Sequence, residues 1–397
     1  MEYDAIIAGA GPAGLLAATK IAEDGYNVLV LEEHQRIGEP DHCAGLLSSS
    51  GLESLNLKPP EEAIQNLVSG ARIFAPSGHS ILIERGQREA FVIDRRRFDL
   101  WLSETARKKG VDIATESKVI EITSSKADTR LIKTPQQTYD TKVCLIAEGS
   151  RSVLSKSVGF PIISKHSKLP AYQYEVKGVD IEEDVVEMLY GRKYAPGFFA
   201  WIIPLRDGRA RVGLASRSKS KVRLDSALKH HPIISERMKG AKKERGLGGI
   251  VLVGKPVSRL SSDGLVIVGD TAGMVKATTG GGVIIGGLTA RLAGESVASA
   301  LQQSVLTSKT LSKYDKLCKS RYYRELQTMY LAQKALASLT DKGLDSVVRD
   351  AQDMGLLETV RKEGDMDLQG RVIRKLLSNP RTFLLGLKAI RYINPFL

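Results

Sequence analysis

Three glycines near the start of the sequence, Gly9, Gly11 and Gly14, have the spacing G-x-G-x-x-G. The stretch DAIIAG before the turn reads as a buried strand, and PAGLLAATKIAE after it has the period of an amphipathic helix. Glycines at these places allow a tight turn, close approach of a pyrophosphate and close helix–strand packing. Glu32 ends the next predicted strand, where an acid accepts hydrogen bonds from ribose hydroxyls. We therefore predict a dinucleotide site.

A second glycine-rich segment, GDTAGMVKATTGGGV, begins with an acid and leads into a long predicted helix. Asp270 follows the buried strand GLVIVG, so it lies at the carboxyl edge of the sheet, where ligands of open α/β sheets bind. Gly281, Gly282 and Val283 stand at the helix start, whose free N–H groups and positive dipole end favour negative charge. A reduced isoalloxazine is negative along its N1–C2=O edge. We therefore predict FAD, with Asp270 on its ribityl chain.

The elements that must position these residues indicate an α/β fold with three parts. The βαβ rhythm of the first segment returns at the strand before Asp270, which predicts a Rossmann-like FAD-binding domain from 1–75, 92–165 and 253–310. Alternating stretches such as AYQYEVKGV and FFAWIIPL predict an inserted antiparallel substrate domain from 76–91 and 166–252. Residues 311–397 are charged and helical, and form a C-terminal helical region in this prediction.

Composition excludes several classes of protein. The chain is 42% hydrophobic with a formal charge of +13, which is the composition of a globular protein with a basic surface. Neither a nucleic-acid module nor an aromatic platform accompanies that charge, so we predict no nucleic-acid partner. The cysteines, Cys43, Cys144 and Cys318, are scattered and lack metal-ligand spacing, so we predict no metal and reduced thiols. A strand begins at once and no apolar run reaches about 18 residues, which predicts a cytoplasmic protein.

The sequence resembles the FAD proteins typified by para-hydroxybenzoate hydroxylase. The resemblance rests on the first glycine motif, DRRRFD, AEGSRS and the GD segment, and it spans most of residues 1–305. It implies that Ala13 of the glycine motif and Arg95 of DRRRFD contact FAD, and that a strand at Val119 contacts adenine through its backbone. In AEGSRS this chain has Glu148 where the group usually has aspartate.

Within that group, the sequence is most similar to the geranylgeranyl reductases. RIGEPDHCAGLLSS resembles their loop over the flavin ring, which implies that Cys43, Ala44 and Gly45 lie against FAD. APGFFAWIIP resembles their substrate motif and implies substrate contacts from Phe198, Phe199, Trp201 and Pro204. The triple glycine is also typical of this branch. Phe199 replaces a tyrosine of the motif, and Lys276–Ala277 stand where an acid and a proline are common.

The resemblance implies a reductase that saturates C=C bonds of geranylgeranyl chains, most simply on archaeal membrane ether-lipid precursors. An isolated alkene cannot stabilise a carbanion, so hydride addition needs nearly concerted proton delivery. Cys43 is the first candidate proton donor because the resembling loop places it beside the flavin, and His42 is the second. The alternatives are a geranylgeranyl-tetrapyrrole reductase, an FAD-dependent aromatic monooxygenase and an electron-transfer flavoprotein.

Two interactions with partners stay open at this point. Residues 371–397 hold six Lys or Arg and no acid, and their apolar face would suit either an anionic membrane surface or a docked helix. Peripheral membrane association is therefore an alternative to a purely cytoplasmic location. No second G-x-G-x-x-G motif is present, so the external reductant is ferredoxin, a deazaflavin or NAD(P)H, and an electron-carrier protein is a candidate partner.

Overall fold

The computed structural model describes residues 3–125, 129–353, 355–379 and 391–392. Its strands are, in chain order, β1 (Tyr3–Ala8), β2 (Val28–Leu31), β3 (Leu46–Ser48), β4 (Ile64–Val68), β5 (Gly70–Phe74), β6 (Ser80–Glu84), β7 (Ala90–Ile93), β8 (Val111–Ala114), β9 (Glu121–Ser124), β10 (Arg130–Lys133), β11 (Thr138–Ile146), β12 (Lys168–Lys177), β13 (Val185–Tyr190), β14 (Phe199–Leu205), β15 (Arg209–Ala215), β16 (Lys242–Leu252), β17 (Ser261–Ser262) and β18 (Leu265–Ile267).

The α-helices are interleaved with these strands in the first two thirds of the chain and follow one another in the last third. They are α1 (Pro12–Glu23), α2 (Ser49–Ser54), α3 (Arg95–Lys108), α4 (Leu154–Ser157), α5 (Ser220–His230), α6 (Pro232–Arg237), α7 (Val283–Gln302), α8 (Ser308–Cys318), α9 (Arg324–Ser338), α10 (Asp341–Asp353), α11 (Leu356–Glu363) and α12 (Gln369–Ser378).

The first sheet carries both glycine-rich segments. Its strands β18, β11, β1, β2 and β8 are neighbours in that order and pair in parallel, while β10 pairs antiparallel to β11 and β9. Strands β2 and β18 are buried along their length and β1 and β11 over their C-terminal halves, and α1 packs against α3 and α7. Buried parallel strands need helices on their faces, and this is the Rossmann-like arrangement that the sequence predicted.

The second sheet has the order β16, β12, β15, β14, β13, β5 and β6, and a small third sheet joins β3, β7 and β4. Its pairs are antiparallel, as predicted, except that β13 runs parallel to β5. The sequence analysis placed β5 in the FAD-binding part, but β5 pairs with β6 and β13. The second sheet therefore begins before residue 76, because β5 is hydrogen-bonded to its strands β6 and β13. The other domain boundaries stay predictions.

Helices of the C-terminal region close over the second sheet. Helix α9 packs on α12, while α10 and α11 both contact β6. No helix in the described ranges combines the length and the apolar character needed to cross a membrane. Of the basic segment 371–397, residues 380–390 and 393–397 fall outside the described residues.

Candidate functional site

A cavity of about 1860 Å³ runs from the first glycine turn, along the second sheet, to the C-terminal helices. It exceeds the roughly 300–1,000 Å³ of most small-molecule pockets. Every residue predicted to bind the cofactor lines it: Gly9, Gly11, Ala13, Gly14, Glu32, Cys43, Ala44, Gly45, Arg95, Val119, Asp270, Gly281, Gly282 and Val283. Residues that are far apart in sequence therefore meet in one space, although their roles stay predictions.

The first glycine turn has the geometry of a phosphate cradle. Gly9 has φ +116°, and a methyl group on Gly14 would lie 2.1 Å from the Gly9 carbonyl oxygen. A methyl group on Gly11, in contrast, would meet no atom within 4 Å. Open space at Gly11 before the N-terminus of α1 is what a pyrophosphate needs. The residues present thus fit a dinucleotide.

Glu32 is nearly buried at the end of β2 and holds the turn from the other side. Its Oε2 accepts a hydrogen bond from the Ala10 N–H at 2.8 Å, and its Oε1 accepts from the His34 N–H at 3.0 Å. His34 Nδ1 also lies 2.6 Å from Oε1. A carboxylate has about four acceptor positions, so Glu32 retains about one for the predicted ribose hydroxyls.

The far end of the cradle differs from the sequence prediction at Val119 and keeps its turn at Glu148. Val119 is buried and lines the cavity, but it lies in the extended segment before β9 and not in a strand. Glu148 accepts hydrogen bonds from the backbone N–H groups of Val153, Leu154 and Ser155 at 2.7–2.9 Å. The longer acid therefore caps α4 and keeps the turn beside the cavity.

Asp270 and the triple glycine form the second part of the predicted cofactor site. Helix α7 begins at Val283, directly after Gly282, and a methyl group on Gly282 would lie 2.6 Å from Asp270 Oδ1. Burial raises the pKa of Asp270, and the Arg95 charge partly opposes this rise. Among the described residues, Thr279 Oγ1 is buried without a hydrogen-bond partner. An acid, an unpaired hydroxyl and a helix N-terminus around one space fit a ligand with hydroxyls and negative charge.

Arg95 joins this acid to the Cys43 loop. Its guanidinium forms a paired hydrogen bond with Asp99, with distances of 2.9 and 2.8 Å. Burial alone would lower the pKa of Arg95, but the charge of Asp99 and the interaction with Cys43 raise it above its ordinary value. Arg95 is therefore a permanent cation between the predicted ribityl and ring positions.

The Cys43 loop is held by hydrogen bonds from side chains to its backbone. Asp41 Oδ1 accepts from the Cys43 N–H at 3.1 Å, and Gln173 Nε2 donates to the Cys43 carbonyl at 3.0 Å. His42 Nδ1 lies 2.6 Å from the Gly248 carbonyl, so this nitrogen carries the proton and donates it there. The thiol of Cys43 stays next to the cavity, whereas the Nδ1 proton of His42 is engaged.

A buried charge network fixes the same loop from the second sheet. Arg211 is fully buried and donates to the Ala44 carbonyl at 2.8 Å and to Glu175 at 3.0 Å. Arg245 pairs with both Glu175 and Asp41. Burial alone would raise the pKa of Glu175, but the hydrogen bond from Arg245 and the charge of Arg211 lower it to about 2. The sequence analysis missed this network, because nothing in the spacing of its members links them.

Strand β14 and Phe198, the residue directly before it, supply the aromatic wall predicted for the substrate. Phe198 and Phe199 stack with ring centres 4.1 Å apart, and Trp201 Nε1 donates to Gln173 Oε1 at 3.3 Å. These three aromatic residues line the cavity, but Pro204 does not. Alternate residues of a strand face opposite sides, so Phe199 and Trp201 face the cavity while Pro204 faces away. The cavity therefore lends no support to the predicted contact of Pro204 with substrate, which stays a prediction.

Beyond the aromatic wall, the cavity has an apolar extension that the sequence analysis did not predict. It is lined by the second sheet and by the inner faces of α9 to α12, including Val68, Ala71, Ile73, Ile81, Ile83, Val186, Met188, Leu336, Ala351, Leu357, Val360 and Ile373. The short apolar run Ile81–Leu82–Ile83 in SILIE is the signal that could have identified part of this wall as a strand. The extension has room for a long, unbranched or methyl-branched chain.

Two family models match separate parts of the chain, one at the glycine turn and one in the second sheet. Residues 7–40 match the family model of an NAD(P)-binding Rossmann-like domain, and residues 168–250 match that of the geranylgeranyl reductase catalytic domain. The chain is 30% identical to the digeranylgeranylglycerophospholipid reductase 2 of Methanopyrus kandleri over 94% of this chain and 97% of the relative. It is also 30% identical to the protein of that name from Methanothermobacter thermautotrophicus, over 95% and 100%.

A solved structure has the same overall architecture. It is a geranylgeranyl bacteriochlorophyll reductase-like protein from Thermoplasma acidophilum, 26% identical to this chain. The two superpose with a TM-score of 0.85, and the match covers 99% of each chain.

Proposed function

Because the chain belongs to the family of geranylgeranyl reductases, we propose that it reduces C=C bonds of geranylgeranyl chains on an archaeal ether-lipid precursor, with FAD as its cofactor. The observation that carries this proposal is the continuity of one cavity. It joins a dinucleotide cradle at Gly9–Gly14 to an apolar extension lined by β5, β6 and the C-terminal helices. A prenyl chain bound there reaches the cofactor end without crossing solvent.

The chain's own residues hold the cofactor in this proposal. The N-terminus of α1 and Gly11 bind the pyrophosphate, Glu32 binds the adenosine ribose, and Asp270 binds the ribityl hydroxyls. Once reduced, bound FAD supplies the hydride. Arg95 and the N-terminus of α7 provide the positive field along the cavity wall.

Cys43 is the proposed proton donor. Asp41, Gln173 and Arg211 fix the backbone of its loop, so the thiol is held at the junction of the cradle and the aromatic wall. A thiol carries a proton that it can deliver as a general acid. His42 is less suited, because its Nδ1 proton is already donated to Gly248.

The apolar extension sets the substrate class. It removes water from the chain, which is worth roughly 25 cal/mol per Å² of apolar surface. Phe198, Phe199 and Trp201 form the wall nearest the Cys43 loop. A geranylgeranyl-tetrapyrrole carries the same chain, so it is the second candidate substrate, favoured by the likeness to the Thermoplasma acidophilum structure.

We also propose that the lipid enters from a membrane surface between α9 and α12. Leu331 and Leu377 line the cavity and are 55% and 52% exposed. Arg371 and Lys375 lie on the exposed side of α12, where Lys375 pairs with Glu363 and the Arg371 cation attracts anionic headgroups. Flotation with anionic vesicles tests this proposal. We expect the unchanged protein to float with the vesicles and a Leu331→Ser and Leu377→Ser double variant to bind them weakly.

The test of the main proposal does not depend on the physiological reductant. FAD bound to the purified protein is reduced chemically without oxygen, and a digeranylgeranylglycerophospholipid is added. We expect flavin reoxidation and a product heavier by two hydrogens for each reduced bond. A geranylgeranyl-tetrapyrrole forms the second arm. Failure of both substrates to reoxidise the flavin contradicts the proposal. Ferredoxin, a deazaflavin and NAD(P)H are then compared as reductants.

The two candidate proton donors are separated by single-turnover rates. Cys43→Ala should slow alkene reduction by about 10²–10⁴-fold, the usual contribution of a positioned acid. His42→Ala is the matched neighbour and should leave the rate nearly unchanged. An unchanged rate in the Cys43 variant, with FAD still bound, removes the thiol from the mechanism.

A further inference from the structure

Lys276 forms a buried ion pair that the proposed reaction does not yet use. Its side chain is almost inaccessible, and Nζ lies 2.6 Å from Asp367 Oδ1 and 2.9 Å from the Met366 carbonyl oxygen. Asp367 is equally buried and also accepts a hydrogen bond from Ser48 Oγ. The pair thus joins the segment before α7 to the segment before α12.

Lys276 lies close to the triple glycine. The Lys276 N–H donates to the Gly281 carbonyl at 3.0 Å. A methyl group on Gly281 would lie 2.7 Å from Lys276 Cε and 3.3 Å from its Nζ. Lys276 and Gly281 both line the cavity. The ammonium group therefore lies beside the residue proposed to face the flavin.

Stability alone does not account for such a pair. The cost of removing two charges from water offsets most of their attraction, so a buried ion pair contributes little net stability. A fixed charge in a site that excludes water, however, acts strongly on a ligand whose own charge changes. The ligand proposed for this cavity changes its charge on reduction.

We propose that Lys276 sets the reduction potential of the bound flavin, with Asp367 as its positioning residue. This inference rests on the proposed function, because it requires FAD in the cavity. The Lys276 ammonium favours the negatively charged reduced ring over the neutral oxidised ring and so raises the midpoint potential. Asp367 holds the ammonium in place and offsets part of its charge.

The test is the midpoint potential of the FAD-loaded protein, measured by dye-coupled titration. Lys276→Gln removes the charge but keeps a donor for Asp367, and it should weaken binding of reduced relative to oxidised FAD about tenfold. For a two-electron couple this is about 30 mV downward. Asp367→Asn leaves the ammonium without its counter-charge and should shift the potential upward. Lys276→Arg keeps the charge and should stay near the wild-type potential.

The surface variant Lys362→Gln, in an exposed pair with Glu358, is the matched control and should not change the potential. Opposite shifts in the Lys276→Gln and Asp367→Asn variants support the inference, because a purely structural role would move only their melting temperatures. Shifts of the same sign, or none beyond the control, overturn it. A wild-type protein that binds no FAD would instead contradict the proposed function.

Discussion

At one end of the cavity, Gly9, Gly14 and Glu32 come from a single strand–helix–strand unit of about thirty residues. At the other end, Ile83 and Leu336 come from a sheet strand and a C-terminal helix that are separated by more than half of the chain. The cofactor end is therefore a local structure whose residue types are dictated by backbone geometry. The substrate end is apolar surface assembled by tertiary packing, where many residue types would serve.

The largest expected effect is at the local end of this comparison. Gly14→Ala places a methyl group 2.1 Å from the Gly9 carbonyl, so the turn must open. We expect FAD affinity to fall by more than about a hundredfold, where each tenfold corresponds to about 1.4 kcal/mol, together with a lower melting temperature. Flavin absorbance of the purified protein and a thermal melt measure the two effects.

Gly11→Ala is the matched variant, because its methyl group would meet no protein atom within 4 Å. It should fold with an unchanged melting temperature in the absence of FAD and still bind FAD weakly. If Gly11→Ala bound FAD normally, the pyrophosphate would not lie at this turn.

The second effect concerns the junction between the two ends. Arg211→Met removes the buried cation that binds the Ala44 carbonyl and leaves Glu175 with only part of its counter-charge. Breaking a buried pair from one side costs about 3–5 kcal/mol of unfolding free energy, which urea denaturation measures.

Arg209→Met is the control on the same strand, since Arg209 is partly exposed, pairs with Glu244 at 2.7 Å and reaches Glu175 only at 3.7 Å. An exposed pair is worth about 0–1 kcal/mol. Equal losses in the two variants would show that the buried network is not what holds the junction.

A smaller effect is expected at the assembled end. Phe199→Leu keeps an apolar side chain but removes part of the cavity wall, and we expect KM for the prenyl substrate to rise about fivefold, equivalent to about 1 kcal/mol of lost apolar contact. Pro204→Ala lies on the opposite face of β14 and should leave KM unchanged. Steady-state kinetics of both variants compare the two faces. A larger effect from Pro204→Ala would reverse the assignment.

The same contrast explains how much the sequence could predict. The two glycine segments and the Cys43 loop predicted the α/β class and the reductase family, and both predictions are confirmed. Their residue types follow from local steric demands that any sequence with this turn must meet. The pairing of β5 with β13, the helices α5 and α6, and the Glu175 network were missed. They depend on long-range packing, for which Arg211 carries no local signal.

Pro204 was assigned to the substrate because the family motif includes it. The two-residue period of β14, however, puts Pro204 on the face opposite Phe199 and Trp201. Lys276 shows the reverse case. Its departure from the family pattern was visible in the sequence, but its partner Asp367 lies 91 residues later. Only the folded chain brings the two together.

The last expected effect is the pH dependence of the junction. The pKa of Glu175 falls from its ordinary value near 4.5 to about 2 in the folded protein. A lowered folded pKa means that Glu175 contributes stability above about pH 4.5, and this contribution is lost as the pH falls toward 2. The free energy of unfolding of Glu175→Gln should therefore differ most from wild type above pH 5, and the difference should shrink in acid. Glu182→Gln, in a more exposed pair with Arg72, should show little such trend. A constant difference between pH 5 and pH 3 would mean that the network stabilises the Cys43 loop through hydrogen bonds alone and not through charge.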